Sequence, residues 1–153
     1  GFDSLPYRLG RVEGMAVTYA VYESPKQQGE LLANKVGQML NADVKAEDIV
    51  ILSKHRKEKS AVAHLPPAAS FSVQPVMIGT ESTSVSFSTI QAFKGLESLA
   101  IVLCDVDDLE SEEQKKLLYV AMSRAKARLI VLRHKQTDNA YKESIRRKLT
   151  LAK

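Results

Sequence analysis

The chain has 153 residues, 44% of them hydrophobic and 26% charged, which suits a single domain with a real core and argues against disorder. A formal charge of +4 permits contact with polyanions but falls short of the dense basicity that identifies a nucleic-acid binder unaided. The single cysteine, Cys104, excludes an internal disulfide framework and sets a reducing, cytoplasmic location as the expectation; the sequence has neither the roughly 18-residue apolar run of a membrane span nor a signal-peptide pattern. Gly1 in place of an initiator methionine is what either a tag scar or an excised piece leaves, so a part of something larger is the expectation.

In chain order, residues 17–22 read as a strand, and Ser24-Pro25 as a helix start. From there Leu31, Leu32, Val36, Met39 and Leu40 form one stripe, so a helix ending near Asn41 is expected. Ile49-Val50-Ile51-Leu52 is a short branched apolar run of the kind buried on both faces of a sheet. Residues 61–84, with Pro66-Pro67 and Gly79, read as an irregular connection holding a weak strand candidate at 75–78. Val85 and Phe87 alternate with Ser86 and Ser88 over a strand at 85–89, and further buried runs occupy residues 99–103 and 129–132. Between those runs Ser111 and Gln114 have capping-box spacing, with Glu110, Glu112 and Glu113 at the positive end of the helix and Arg124 and Lys126 near its negative end. An amphipathic stretch at 139–149 follows, carrying Arg146, Arg147 and Lys148 on a face that is either solvated or set against a partner. Strands alternating with helices imply an α/β sandwich with a mostly parallel sheet flanked by helices, in one domain spanning residues 1–153. Such sheets bind ligands at the carboxyl ends of their strands.

Two segments carry chemistry. On a helical projection Arg124 falls on the apolar stripe, within about 50° of Leu117, Val120, Ala121 and Arg128. A guanidinium there either packs its stem on the core with its head at a wet edge, or waits for an anion such as a phosphate. The other segment, Thr89-Ile90-Gln91-Ala92-Phe93-Lys94-Gly95-Leu96-Glu97, links two strands. Gly95 allows a turn or a close backbone approach, Lys94 is a point charge and Glu97 an acceptor suited to a sugar hydroxyl. Taken alone it also reads as an ordinary turn with solvated charges.

Together, Thr89-x-Gln91-x-x-Lys94-Gly95-Leu96-Glu97 and Leu117-Leu118-Tyr119-Val120-Ala121-Met122-Ser123-Arg124-Ala125 resemble motifs V and VI of UvrD/Rep-like superfamily 1 helicases, in order, spacing and the strand after each. Asp48-Ile49-Val50-Ile51-Leu52-x-x-x-Arg56 is similar to a strand of that family's second motor domain, so the resemblance covers roughly residues 48–132. It implies a RecA-like three-layer sandwich that forms half of an ATP site, the phosphate loop and the magnesium carboxylates lying on an N-terminal RecA-like motor domain. By that resemblance Arg124 is the arginine finger, Gly95 lies against the nucleotide, Glu97 holds the ribose, and Thr89 and Gln91 face a single strand of DNA or RNA. Lys94 could serve either ligand. Gln91 stands where relatives often have histidine and Phe93 where they have a small residue; core packing is the first expectation for Phe93. Arg8 and Arg11 do not lie in the context of the family's motif IV arginine.

The seven glycines never form GxxxxGK[ST], so the chain alone is expected not to hydrolyse ATP; ATP with Mg²⁺ would be held mainly by the other domain. No metal site is expected: His55, His64 and His134 are scattered, and Asp105, Asp107 and Asp108 read as solvated loop acids. His55, Arg56, Lys57 and Lys59 are either a solvated loop or, beside Thr89 and Gln91, a groove that tracks phosphates without reading sequence. Two other readings stay open: a non-catalytic nucleic-acid-binding module with the motor fold, and an unrelated nucleotide-binding domain, which would require Gly95 and Arg124 to lie far apart.

Overall fold

The computed structural model describes residues 16–76, 84–108 and 111–137. Six strands, β1 (Ala16–Tyr22), β2 (Ile49–Ser53), β3 (Val73–Pro75), β4 (Val85–Thr89), β5 (Ser98–Val106) and β6 (Ala125–His134), form one sheet in the order β1-β6-β5-β2-β4-β3. Every neighbouring pair is parallel. The expected weak strand at 75–78 lies a little earlier, at β3, where Pro75 sits on an edge and removes no ladder bond from the sheet interior.

Helix α1 (Pro25–Asn41) starts and stops where local chemistry dictates. Extended Ser24 accepts a hydrogen bond from the Gln27 amide at 3.2 Å, and Pro25 occupies the first turn, where it sacrifices no helical bond. At the far end Asp43 turns left-handed (φ 67°). The Val44 amide then reaches the Met39 carbonyl at 3.0 Å and the Asp43 amide reaches Leu40 at 3.2 Å, a Schellman closure with Asp in place of the usual glycine.

Helix α2 (Glu112–Met122) is capped by Ser111, whose hydroxyl accepts from the Gln114 amide at 3.3 Å. It stops two residues before Arg124. The Ser123 hydroxyl donates to the Val120 carbonyl at 2.7 Å, the Arg124 amide donates to Ala121 at 3.1 Å, and the chain turns directly into β6. The helical projection that placed Arg124 on an apolar stripe is therefore corrected: Arg124 lies in the turn after the helix.

Two apolar layers sandwich the sheet. Ile49, Ile51, Val102 and Leu132 face α1 with Leu32, Val36 and Met39. Val50, Leu52, Ile101, Leu103 and Val131 face α2 with Leu118, Ala121 and Met122. The β4–β5 crossover has no helix; Ile90 and Phe93 from it fill the α2-side layer themselves, which settles Phe93 as a core residue. Gly29 of α1 seats against the 3-10 turn Ala61–His64 so closely that a Cβ there would lie 1.9 Å from the His64 carbonyl oxygen. Among the described residues no helix is long and apolar enough to cross a membrane. The expected helix at 139–149, with Arg146, Arg147 and Lys148, falls outside the described residues, as do Arg8, Arg11 and Glu110.

Candidate functional site

Because all six strands are parallel, the molecule has an entry rim, where strands begin, and an exit rim, where they end. The candidate residues divide between them. At the entry rim β5 and β6 start side by side, with Ser98 in register with Ala125. The Ser98 amide donates to the Arg124 carbonyl at 3.0 Å, and Glu97 pairs with Lys126 at 3.1 Å. The two motif-bearing stretches thus meet across adjacent strand starts, and the reading that needed Gly95 and Arg124 far apart loses its ground. Gly95, two residues before Glu97, is exposed with φ +82°, a conformation a side chain disfavours. Lys94 beside it is exposed.

Arg124 is half-buried, and its Nε is cut off from solvent with no hydrogen-bond partner among the described residues. A cation just past a helix C-terminus gains from the helix dipole. That does not satisfy a buried N–H, which costs about 1–3 kcal/mol when left unpaired.

The exit rim gathers the other candidates. Ser53 ends β2 in register with Thr89 at the end of β4, and the Ser53 carbonyl accepts from the Ile90 amide at 2.9 Å. The loops that follow these strands therefore leave from one corner, one carrying His55 and Arg56, the other Gln91. Arg56 and Gln91 are exposed, while His55 and Thr89 are half-buried. The Thr89 hydroxyl accepts from the Ala92 amide at 3.2 Å and caps the turn that carries Gln91 and Lys94. Lys54 pairs with Asp107 across the rim. His55, Arg56, Thr89 and Gln91 thus lie at the carboxyl ends of the strands, while Gly95, Glu97 and Arg124 lie at the opposite end.

Asp105 corrects the sequence reading. It is not a solvated loop acid but is 8% exposed, inside β5. A register shift in the β5–β6 ladder between Leu103 and Val106, with φ 63° at Asp105, breaks the alternation of the strand. Consecutive residues Cys104 and Asp105 both turn toward the α1 side, and Val106 returns to the α2 side. The carboxylate accepts from Gln28 Nε2 (2.9 Å), Ser53 Oγ (2.6 Å) and the Ala61 amide (3.2 Å). Burial first, then Asp105 beside it, pushes the Cys104 thiol well above its ordinary pKa; burial, Asp105 and Asp107 raise Tyr22. Gln28 was overlooked in the sequence although it carried a signal, since Gln28, Leu32 and Val36 share one stripe at four-residue spacing. Among the described residues no group of three or more His, Cys, Asp or Glu side chains is placed to hold a metal ion.

An all-parallel six-stranded sheet between helices, with polar loops at both strand ends, makes this a three-layer α/β domain. Residues 84–132, which hold both motif-bearing stretches and cover about a third of the chain, match the family described as the UvrD-like helicase C-terminal domain. The fold is similar to that of the C-terminal domain of a possible DNA helicase from Lactobacillus plantarum WCFS1, at TM-score 0.66 and 16% identity over 87% of this chain and 83% of that one. No curated protein matches the chain. The resemblance drawn from the two motifs is thus met by a family match over the same residues and by the surrounding fold.

Proposed function

We propose that this chain is the C-terminal motor domain of an ATP-dependent superfamily 1 helicase. In this reading Arg124 is the arginine finger of an ATP site completed by an N-terminal RecA-like domain. The observation that carries it is the meeting of the two motif-bearing stretches at one rim, where half-buried Arg124 lies with Gly95 and Glu97 beside the starts of β5 and β6. A planar, permanently charged donor of this kind fits the equatorial oxygens of a transferring phosphoryl group, where negative charge spreads in the transition state. ATP with Mg²⁺ would supply that group, the partner domain holding most of it. From this chain Glu97 would exchange Lys126 for a ribose hydroxyl, Gly95 would let the backbone approach the nucleotide, and Lys94 would add a point charge. Thr89, Gln91, His55 and Arg56 at the exit rim would follow the phosphates of single-stranded DNA or RNA. The test is Arg124→Ala in the domain joined to its motor partner. Strand-stimulated ATP turnover should fall by about 10³- to 10⁵-fold while ATP binding persists. Unchanged turnover would remove Arg124 from the chemistry.

A second reading, a nucleic-acid-binding module without motor activity, draws support from exposed Arg56, Lys57 and Lys59 at the exit rim. It is favoured if the domain binds oligonucleotides with steep salt dependence and no partner domain confers ATPase activity on it.

A further inference from the structure

We infer that Asp105 is a positioning residue for strand binding: it shapes the basic loop of residues 54–60 by gripping both of its ends. The inference rests on the strand-binding half of the proposal above and adds to it the device that holds the loop.

The loop carries Lys54, His55, Arg56, Lys57 and Lys59 against one acid, Glu58. Like charges packed so densely repel one another and favour a splayed chain, so a defined shape needs anchors. Lys54 pairs with Asp107 and Lys57 Nζ donates to the Val73 carbonyl at 3.3 Å, but one oxygen atom holds both ends of the loop. Oδ2 of Asp105 accepts from Ser53 Oγ just before the loop and from the Ala61 amide just after it. The Ser53 hydroxyl in turn accepts from the His55 amide at 3.0 Å, extending the grip into the loop. The other oxygen, Oδ1, accepts from Gln28 Nε2, and Gln28 Oε1 takes the Asp105 amide at 2.7 Å, a two-bond lock onto α1.

Burial alone does not call for this residue. A strand end that only had to be covered would be served by an extended apolar side chain. Here the backbone instead adopts φ 63° inside a bulge, which turns an acceptor-only group toward donors from three segments. The same corner holds Thr89 and Gln91, tied in through the Ser53 carbonyl and the Ile90 amide. Gripping Ser53 and Ala61 therefore sets the spacing between the basic loop and the β4–β5 turn, the two walls of the phosphate-tracking groove.

The hydrogen-bond pattern offers a rescue test. Asp105→Asn sets an amide donor against Gln28 Nε2 or against the Ser53 and Ala61 donors. Adding Gln28→Glu restores every bond with the carboxylate moved one residue across: the asparagine oxygen meets Ser53 and Ala61, its amide donates to Glu, and Glu accepts the backbone amide. A labelled oligothymidylate titrated at salt between about 50 and 200 mM gives affinity and salt slope, each single-strand phosphate contact contributing about 0.7 to that slope. Asp105→Asn should weaken binding roughly tenfold and lower the slope by one or two contacts. The double variant should recover both, and Ser24→Ala, which loosens α1 at its cap, should leave the slope alone. If Asp105→Asn does not fold, Ser53→Ala removes the leading grip and should lower the slope by about one contact. A folded Asp105→Asn or Ser53→Ala with the wild-type slope, or a double variant that stays weak, overturns the inference while strand binding stands. Absence of binding by the wild-type chain sinks the strand-binding reading and the inference with it.

Discussion

Gly29→Ala should destabilise the domain although alanine is the better helix former, and the structure sets the scale. The added Cβ would lie 1.9 Å from the His64 carbonyl oxygen, 2.4 Å from its carbon and 2.8 Å from its Cβ. Since real contacts of this kind stay beyond 3.0 Å, α1 and the Ala61–His64 turn must separate by about 1.1 Å. The obstacle is backbone, which cannot swing aside as a side-chain tip would. A gap of that size forfeits about a quarter to a half of the dispersion energy of the contacts it opens, and overpacking of this kind costs about 1–3 kcal/mol. Set against a helix-propensity gain of about 1 kcal/mol, the upper part of that range leaves a net loss near 2 kcal/mol, or roughly 4–8 °C in Tm for a domain of this size. Gly37 on the same helix is the control. A Cβ there meets nothing within 4 Å, so Gly37→Ala should stabilise by about 0.5–1 kcal/mol. Thermal and urea unfolding of the two variants should thus move in opposite directions. A Gly29→Ala protein as stable as wild type would refute the claimed rigidity of the α1 contact.

Gly95→Ala places a Cβ at φ +82° and should cost about 1 kcal/mol by strain alone, since no atom lies within 4 Å of it; Gly95→Asn should cost less in the same unfolding assay, and equal losses would point to a lost contact instead. Cys104 is fully buried, with its thiol held protonated by burial and by Asp105, so a disulfide reagent should modify it only as fast as the protein opens. Modification of the native protein at the rate of a free thiol would contradict the packing around β5.

Much of the fold was legible because its signals are local. The three branched apolar runs became β2, β5 and β6, buried on both faces, and the caps at Ser24 and Ser111 formed as their spacing implied. The failures share a cause. Met122-Ser123-Arg124 contains no glycine or proline, so nothing in the sequence stops α2 there; it stops because β6 must begin at Ala125, alongside Ser98, and the Arg124 carbonyl is taken by that pairing. Asp105 was misread because the apolar run ends at Leu103, whereas β5 continues to Val106, and the bulge that turns the carboxylate toward α1 depends on β6. Gln28 and Asp105 lie 77 residues apart, and neither spells out its partner. The sequence did place Arg124, Gly95 and Glu97 in one neighbourhood, through the motif pair rather than through any local rule.

The division of candidates between two rims bears on how such a domain would work. Residues 90–97 run from the end of β4 to the start of β5, across the α2 face of the sheet, and so connect the exit rim to the entry rim. Eight residues span at most about 29 Å, while the five residues of β2 that they pass occupy about 17 Å. Little slack remains once the chain has turned at both ends. Ile90 and Phe93 are buried, and the Ile90 amide is fixed to Ser53. A displacement at Thr89 or Gln91 therefore reaches Gly95 and Glu97 through a short, packed segment rather than through a flexible loop. If strand binding stimulates ATP turnover, this crossover is the shortest covalent route between the two proposed contacts. Phe93→Ala, which hollows out its middle, should then weaken strand stimulation more than it weakens basal turnover. An equal loss in both would assign Phe93 to stability alone.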